Sequence, residues 1–428
     1  MEAATFTSTL KALAHGGAAV GDVSACEALP AINGKTAFIH YTIPGEVVEA
    51  SLEEDHKNYV EGNLLRIISP SDARITPPCP YFGQCGGCNL QHIDLVSQRK
   101  FKLEMVQGYL DRHSGIKEST KVSLYGEELE GFAYRKRVIF HVNREGQVGF
   151  YHKKTKRILE VEKCLIALPE INQTLKLLNT SMKEFGGIVD DIVVEFVDGE
   201  LFVELKLRPH LKKAKPDEFS AMLGALLANE FPNLTVSFCA VPLFVSKNGK
   251  TITAEEQEFP VGHFSQVNDA GNALLQELVL EFCGDSQEIT ELFAGAGNFS
   301  FPLARQASKV VAVEADRFLV RYGMSMAVKL GLSEKIEFVR KSCEKYVRKY
   351  PMLPCLVIDP PRCGAQEVAE KVDPLVTKKI VYVSCALPTL CRDIKILADK
   401  GYVLEQTRVV DMFPQTHHVE TVSLLTHA

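Results

Sequence analysis

From residue 288 onward the chain repeats one pattern five times: a short, almost uninterrupted apolar run followed by a stretch with helical spacing. The runs are "EITELFAG", "KVVAVEA", "KIEFV", "CLVID" and "KIVYVS". Apolar runs of strand length between amphipathic stretches fit parallel strands buried on both faces, with helices as the crossovers. The expected fold over residues 261–428 is therefore α/β, a Rossmann-like sheet. The last two strand-like segments, "YVLEQTRVVDMF" and "VETVSLLTH", have no helix between them and are expected to pair antiparallel. Open sheets of this kind bind ligands beyond the carboxyl ends of their strands. The residues that end these runs are thus the first place to look for chemistry.

The first run ends in "ELFAGAGNFS", Glu291 to Ser300. Gly-x-Gly lets backbone approach a ligand where a Cβ would collide, although a plain strand-to-helix turn would look the same. The third glycine of a dinucleotide fingerprint is missing, since Phe299 and Ser300 follow Asn298. The second run ends in Glu314, placed to accept hydrogen bonds from both ribose hydroxyls of a nucleoside. Together these favour S-adenosylmethionine over a dinucleotide. The fourth run ends at Asp359 in "IDPPRCGA", where two prolines delay the next helix, and a stiffened turn with an aspartate cap is the alternative. The fifth ends in "YVSCA", with Cys385 at its tip. A lone cysteine is more often an inert buried thiol, but the strand end makes this one a candidate nucleophile. Glu420 opens the final apolar strand, a costly place for a carboxylate without a partner or a task. As a pair, Cys385 and Glu420 make a nucleophile and a base.

The remainder of the chain reads differently. Residues 1–70 are short alternating runs broken at Gly16, Gly17, Asn33-Gly34 and Pro44-Gly45, which predicts a small β-barrel. "SPSDARITPPCP" closes it, and "LQHIDLVSQRKFKLEMVQGYLDRHSG" follows with the spacing of an amphipathic helix. Residues 71–260 are expected to form a mixed, mostly antiparallel α+β domain. Within it, "CPYFGQCGGCNLQH" carries Cys79, Cys85 and Cys88, and Cys164 could add a fourth thiolate. Four thiolates suit zinc or an iron-sulfur cluster, and spacing does not choose.

The charge balance of 48 basic against 54 acidic residues does not announce a nucleic-acid partner. Locally, Arg135 to Arg157 sets eight Lys/Arg against Glu145 alone, a net +7 interleaved with Phe140, Phe150 and Tyr151. Cations for phosphates beside aromatic faces for bases suit RNA, with a solvated hairpin as the plain alternative. No run is long enough for a transmembrane helix and no signal-peptide layout opens the chain, so the expected location is the cytoplasm, with no membrane partner.

These pieces, in this order, resemble the RNA uracil-5-methyltransferase family, in particular its iron-sulfur-containing 23S ribosomal RNA branch, over essentially the whole chain. The barrel is similar to a TRAM domain through "GGAAVGDV" and "GKTAFIHYTIPGE". The resemblance implies a 4Fe-4S cluster on Cys79, Cys85, Cys88 and Cys164. It implies S-adenosyl-L-methionine contacts at Gln266, Phe293, Asn298, Glu314, Ser342 and Asp359. It makes Cys385 the nucleophile, Glu420 in "HVET" the base, RNA the partner and a monomer the default. Ribosomal RNA is favoured and transfer RNA is the alternative substrate; a cytosine-5 enzyme and a non-catalytic RNA-binding protein are the other readings. One departure stands out: the usual S-C-N-P-x-T-L-x-R-D is here "SCALPTLCRD", with Ala386 and Leu387 replacing Asn (or Asp) and Pro.

Overall fold

The computed structural model describes residues 4–116, 121–184, 186–208, 217–238, 241–247, 250–252 and 266–427. The chain divides into two units: Met1–Pro78, Asn89–Leu129 and Gly271–Ala428 in one, Cys79–Cys88 and Glu130–Ala270 in the other. The expected boundary between residues 260 and 261 lies outside the described residues.

In the first unit, β1 (Thr5–Leu13), β2 (Ala18–Ala25), β3 (Thr36–His40), β4 (Val47–Asp55) and β5 (Tyr59–Ser69) close into a barrel in the order β1-β2-β3-β5-β4. Alternate residues such as Phe6, Leu10, Val23, Ile39, Val48 and Val60 fill it. The barrel is narrow enough that a Cβ on Gly62 would lie 2.7 Å from the Phe6 ring. Next comes α1 (Leu95–His113), capped by the Asp94 carboxylate, which accepts from the Ser97 N–H at 2.9 Å. Its buried face is only partly apolar, for Gln98, Arg99 and Lys102 are buried along with Met105, Val106 and Leu110. The following strand, β6 (Lys121–Tyr125), was grouped by its pattern with the central strands. It instead runs parallel to a strand of the carboxy-terminal sheet.

The second unit holds β7 (Arg137–Val142), β8 (Val148–Tyr151), β9 (Ile158–Glu160), α2 (Pro169–Ser181), β10 (Val189–Val197), β11 (Glu200–Leu207), α3 (Asp217–Ala228), β12 (Leu234–Phe238), β13 (Val241–Lys247) and β14 (Lys250–Ile252). Their sheet has the order β14-β13-β12-β11-β10-β7-β8-β9 and is antiparallel except where β11 meets β12.

The α/β pattern is completed by α4 (Asp269–Cys283), β15 (Glu288–Leu292), α5 (Ser300–Gln306), β16 (Lys309–Glu314), α6 (Arg317–Lys329), β17 (Ile336–Arg340) and α7 (Cys343–Val347). It continues with β18 (Cys355–Ile358), α8 (Gln366–Lys371), β19 (Lys379–Ser384), α9 (Leu387–Asp399), β20 (Val403–Val410) and β21 (Glu420–Thr426). The sheet order is β17-β16-β15-β18-β19-β21-β20-β6. The five predicted runs are its parallel strands, and β21 is antiparallel to both β19 and β20. Each buried strand serves two apolar layers: Leu356 and Ile358 face one, Cys355 and Val357 the other. Among the described residues no helix is long and apolar enough to cross a membrane.

Candidate active site

The carboxyl ends of β15, β16, β18 and β19 lie side by side along one edge of the sheet. After β15 the backbone turns sharply: Phe293 takes a left-handed φ of 63°, an uncommon position for a non-glycine residue. Its N–H donates to Cys343 Sγ at 3.2 Å. The two glycines have different tasks. A Cβ on Gly297 would strike the Phe301 ring at 2.6 Å, whereas one on Gly295 would meet nothing within 4 Å. Gly297 therefore serves packing, and Gly295 borders the open space a ligand needs. Glu314 ends β16 and accepts from the Gly295 N–H at 3.0 Å and the Asp316 N–H at 2.8 Å. These bonds hold its carboxylate at the turn, and each oxygen keeps a lone pair for a ribose hydroxyl.

Asn298 is turned toward α4, where its amide pairs reciprocally with Asn272 at 2.9 Å and its Oδ1 also accepts from Gln276 at 3.0 Å. Asn272 and Gln276 are legible in the sequence only as two amides four residues apart on a helix that also carries Asp269, Glu277 and Glu281. Ser342 lies at the start of α7 and makes no side-chain cap bond there. Gln266 lies just ahead of α4, in the second unit, and its motif neighbours 263–265 are outside the described residues. Glu291, also missed, is a buried carboxyl on β15 bonded by Ser300, and burial pushes it up to about 8. Carboxyl groups at the strand ends and open space beside Gly295 suit a cationic nucleoside such as S-adenosylmethionine.

Cys385 follows β19 directly. Ser384 pairs with Thr421 as the outermost pair of the antiparallel ladder, and just beyond it the Glu420 carboxylate lies within electrostatic reach of the Cys385 thiol. The Thr421 hydroxyl reinforces this end by donating to the Ser384 carbonyl at 3.1 Å. Burial pushes the Cys385 thiol up to about 11; the Glu420 and Asp359 carboxylates add to that rise, and the Arg362 guanidinium opposes it. Glu420 is 6% exposed, and burial holds it well above the usual carboxylate range, with Asp359 reinforcing and Arg362 opposing. Asp359 is raised by burial to about 7. A thiol and three charged side chains thus act on one another at the ends of β18, β19 and β21.

Thr389, Arg392 and Asp393 of "SCALPTLCRD" have a structural task. Thr389 donates to the Arg362 carbonyl at 3.1 Å and Arg392 to the Cys363 carbonyl at 3.0 Å. The buried Asp393 carboxylate accepts from the Ala365 N–H at 2.6 Å and the Tyr382 hydroxyl at 2.7 Å. This bolts the loop 359–365 to α9 and brings Arg362 within electrostatic reach of the thiol. Ala386 occupies the N-cap of α9 without a side-chain cap bond, and Pro388 takes the first turn. The Ser384 hydroxyl, accepting from the Ala386 N–H at 3.1 Å, supports this turn instead.

The role of Arg362 is not legible in the sequence. Replacing it by methionine should push the thiol higher still. Adduct formation with 5-fluorouridine RNA should then slow roughly two- to fivefold at neutral pH, the worth of an exposed charge pair, and recover at higher pH. An unchanged pH profile would count against this role.

The four candidate metal cysteines all lie in the second unit. The Cys79–Cys88 loop is joined to the turn after β8 by Gly86 N–H to the Tyr151 carbonyl at 3.1 Å and Lys153 N–H to the Gln84 carbonyl at 2.8 Å. The Glu162 N–H donates to the Tyr81 hydroxyl at 3.1 Å, two residues before Cys164. Cys79 and Cys164 both bear on the Cys85 thiol, which burial pushes up. Among the described residues no group of three or more His, Cys, Asp or Glu is arranged to hold a metal ion. Cys79, Cys85 and Cys164 are electrostatic neighbours.

The basic hairpin is less available than its sequence suggests. Phe140 is fully buried in the core of the second unit and cannot stack on a base, because β7 turns that side chain inward. Lys136 is buried and paired with Asp269, and Arg137 lies 3.7 Å from Glu195. Arg144, Lys154, Lys156 and Arg157 are exposed. Tyr151 is half-buried and stacks on His141 at 3.6 Å.

A parallel sheet with a Gly-x-Gly turn, a carboxylate ending its second strand and a thiol opposite a carboxylate define a methyltransferase of the Rossmann-like class with a cysteine in its site. A family model described as tRNA (uracil-5-)-methyltransferase matches residues 245–428. The 23S rRNA (uracil(1939)-C(5))-methyltransferase of Pectobacterium atrosepticum is 31% identical over 417 residues, covering 92% of this chain and 89% of that protein. Its namesake from Vibrio parahaemolyticus is 31% identical over 91% of each. The solved structure of the Pyrococcus abyssi tRNA (uracil-54, C5)-methyltransferase with S-adenosyl-L-homocysteine shares the fold. Its TM-score is 0.71 at 20% identity, over 98% of this chain and 99% of that one. The chain belongs to the RNA uracil-5-methyltransferase family.

Proposed function

We propose that this protein methylates carbon 5 of a uridine in ribosomal RNA, with Cys385 as nucleophile and Glu420 as base. The observation that supports the reading is the register of β19 and β21, whose outermost pair, Ser384 with Thr421, adjoins a thiol and a carboxylate that act on one another. Ribosomal RNA is preferred to transfer RNA because the ribosomal enzymes match this chain at higher identity over nearly its full length.

Bound along Phe293, Gly295, Glu314 and Asp359, S-adenosylmethionine supplies an electrophilic methyl on a sulfonium. Carbon 5 of uracil is a weak nucleophile until the Cys385 thiolate adds to carbon 6, which moves the ring electrons onto the enolate. Once carbon 5 carries the methyl group, Glu420 removes its remaining proton. The electron pair re-forms the carbon 5–carbon 6 double bond, and the carbon–sulfur bond breaks to release the thiolate. Both groups must be deprotonated to act, yet burial favours the protonated form of each in the free protein. Arg362 is the cation that opposes this. The uridine must be unpaired or flipped out to reach a strand-end thiol. Mapping 5-methyluridine in RNA from cells with and without this protein should reveal one ribosomal position that loses its methyl group. A loss confined to transfer RNA would reject the substrate.

The same proposal assigns Cys79, Cys85, Cys88 and Cys164 to a 4Fe-4S cluster. Cys79, Cys85 and Cys164, whose thiols lie within electrostatic reach of one another, and Cys88 three residues beyond Cys85 in the same unit support it, with the sequence resemblance described above. A methyl leaving a sulfonium requires no electron, so the cluster would support the fold of the RNA-binding unit. Anaerobically purified protein is expected to show the broad visible absorbance of such a cluster with about four irons per chain, and Cys164→Ser should lose it. One bound zinc in its place would sink the iron-sulfur assignment.

A further inference from the structure

Glu420 is the terminal residue of β21, and its last cross-strand partner is Val410 on β20. Residues 411–419 must leave β20 and return to that same point, so any slack in them loosens the carboxylate. A single continuous segment, Asn89 to Lys102, holds this loop at three places. At its start, Lys102 Nζ donates to Asp411 Oδ1 at 2.6 Å and to the Phe413 carbonyl at 3.1 Å. At its crest, Gln415 has a left-handed φ of 70°, and neighbouring groups hold it there. Its carbonyl accepts from the N–H groups of Asn89 and Leu90 at 3.1 and 3.0 Å. Its own N–H donates to Gln98 Oε1 at 2.9 Å, and its side-chain oxygen accepts from Gln98 Nε2 at 3.0 Å. Near its end, the His417 N–H donates to Asn89 Oδ1 at 2.9 Å, and His417 Nδ1 lies 2.8 Å from Asn89 Nδ2. Burial keeps that imidazole neutral, so its ring nitrogen can accept from the amide.

Gln98 is the centre of this arrangement. It is fully buried on α1, its amide also donates to the Ile93 carbonyl at 2.8 Å, and both ends of its side chain engage Gln415. A buried glutamine on the inward face of an amphipathic helix is costly unless every polar atom is used. Two of its three bonds go to a distant loop, and the third goes to Ile93 just ahead of the helix. We infer that Gln98 is a positioning residue for the general base: through its two bonds to Gln415 it holds the 411–419 loop closed and so fixes Glu420 opposite Cys385. The inference rests on the reading of Glu420 as the base. It predicts a defect in the last step of the reaction, proton removal and release of the thiolate, and not in RNA or cofactor binding.

The test compares Gln98→Met, which keeps the volume and removes both bonds, with Gln415→Gly, which removes the acceptor side chain while easing the left-handed backbone. Both are assayed beside Glu420→Gln as full-length proteins with substrate RNA. Each loop variant is expected to lose kcat roughly 10- to 100-fold, the effect of misplacing a reacting group by about an ångström. KM for RNA and affinity for S-adenosylhomocysteine should stay within about threefold, and denaturation-resistant RNA adduct should build up during turnover, as with Glu420→Gln. Because Gln415→Gly keeps the backbone bonds, it serves if Gln98→Met folds poorly. A kcat within twofold of the parent in the folded variants would overturn the inference, as would a loss of kcat without adduct. If Glu420→Gln itself builds up no adduct, the base assignment fails first, and a slow Gln98→Met enzyme would then not rescue this role for Gln98.

Discussion

Replacing Glu420 by glutamine is expected to leave RNA covalently attached to the protein, with methyl transfer to carbon 5 completed and product release slowed by about 10²–10⁴-fold. Thiolate addition precedes the step that needs the carboxylate, so removing the carboxylate stops the reaction after the carbon–sulfur bond has formed. The electrostatics sharpen this. Glu420 is among the groups that raise the Cys385 thiol, so its neutral replacement should lower the pH at which the thiol adds to RNA. Cys385→Ala should give neither adduct nor 5-methyluridine. Adduct is read as a slow-migrating band in denaturing gels and product as 5-methyluridine by mass spectrometry. Full methyl transfer by Cys385→Ala would falsify the mechanism outright, and a non-catalytic RNA-binding protein would form no adduct with 5-fluorouridine RNA.

The second large effect concerns stability. Lys102 and Asp411 are both fully buried and paired at 2.6 Å, with Arg99 Nε 3.6 Å from the same carboxylate. Burial pulls the Lys102 ammonium down, and Asp411 is the main group that restores it. Asp411→Asn leaves that cation without its anion in a dry site and should cost about 3–5 kcal/mol. At roughly 2–4 °C per kcal/mol this is a fall of about 6–20 °C in the thermal midpoint of the unit that contains it. Changing both partners to apolar residues, Lys102→Met with Asp411→Leu, should recover most of the loss, because no unpaired charge remains. Scanning calorimetry of the three proteins decides it; a fall of less than about 2 °C in Asp411→Asn would mean that water or another group solvates Lys102.

Much of the catalytic sheet was legible because its strands are buried on both faces, and such strands must be written as continuous apolar runs whatever their neighbours. The residues at their tips were legible for a related reason: Glu314, Asp359 and Cys385 are polar residues at the end of an apolar run, where only a site or a cap keeps them. The basic hairpin misled over Phe140. Strand alternation shows that two neighbours face opposite sides, but only the packed sheet shows which side is the core. Strand β6 was misplaced because five residues of alternating pattern pair equally well with either sheet, and the choice lies in long-range pairing. Gln98, Arg99 and Lys102 read as the polar side of an amphipathic helix, yet they are its buried side, since their partners Asp411 and Gln415 are about 300 residues away in sequence.

Legible in the sequence alone are the class of sheet, the succession of its strands along the chain and the chemical type of residue at each strand end, since all of these are local consequences of burial and periodicity. The tertiary structure alone decided which of those ends face one another. The antiparallel register of β21 on β19 sets Glu420 opposite Cys385, and hydrogen bonds from α1 and α9 hold the flanking loops, bringing Arg362 near. Register and loop placement come from contacts between residues far apart in the chain, whose energies depend on distances that no local pattern encodes.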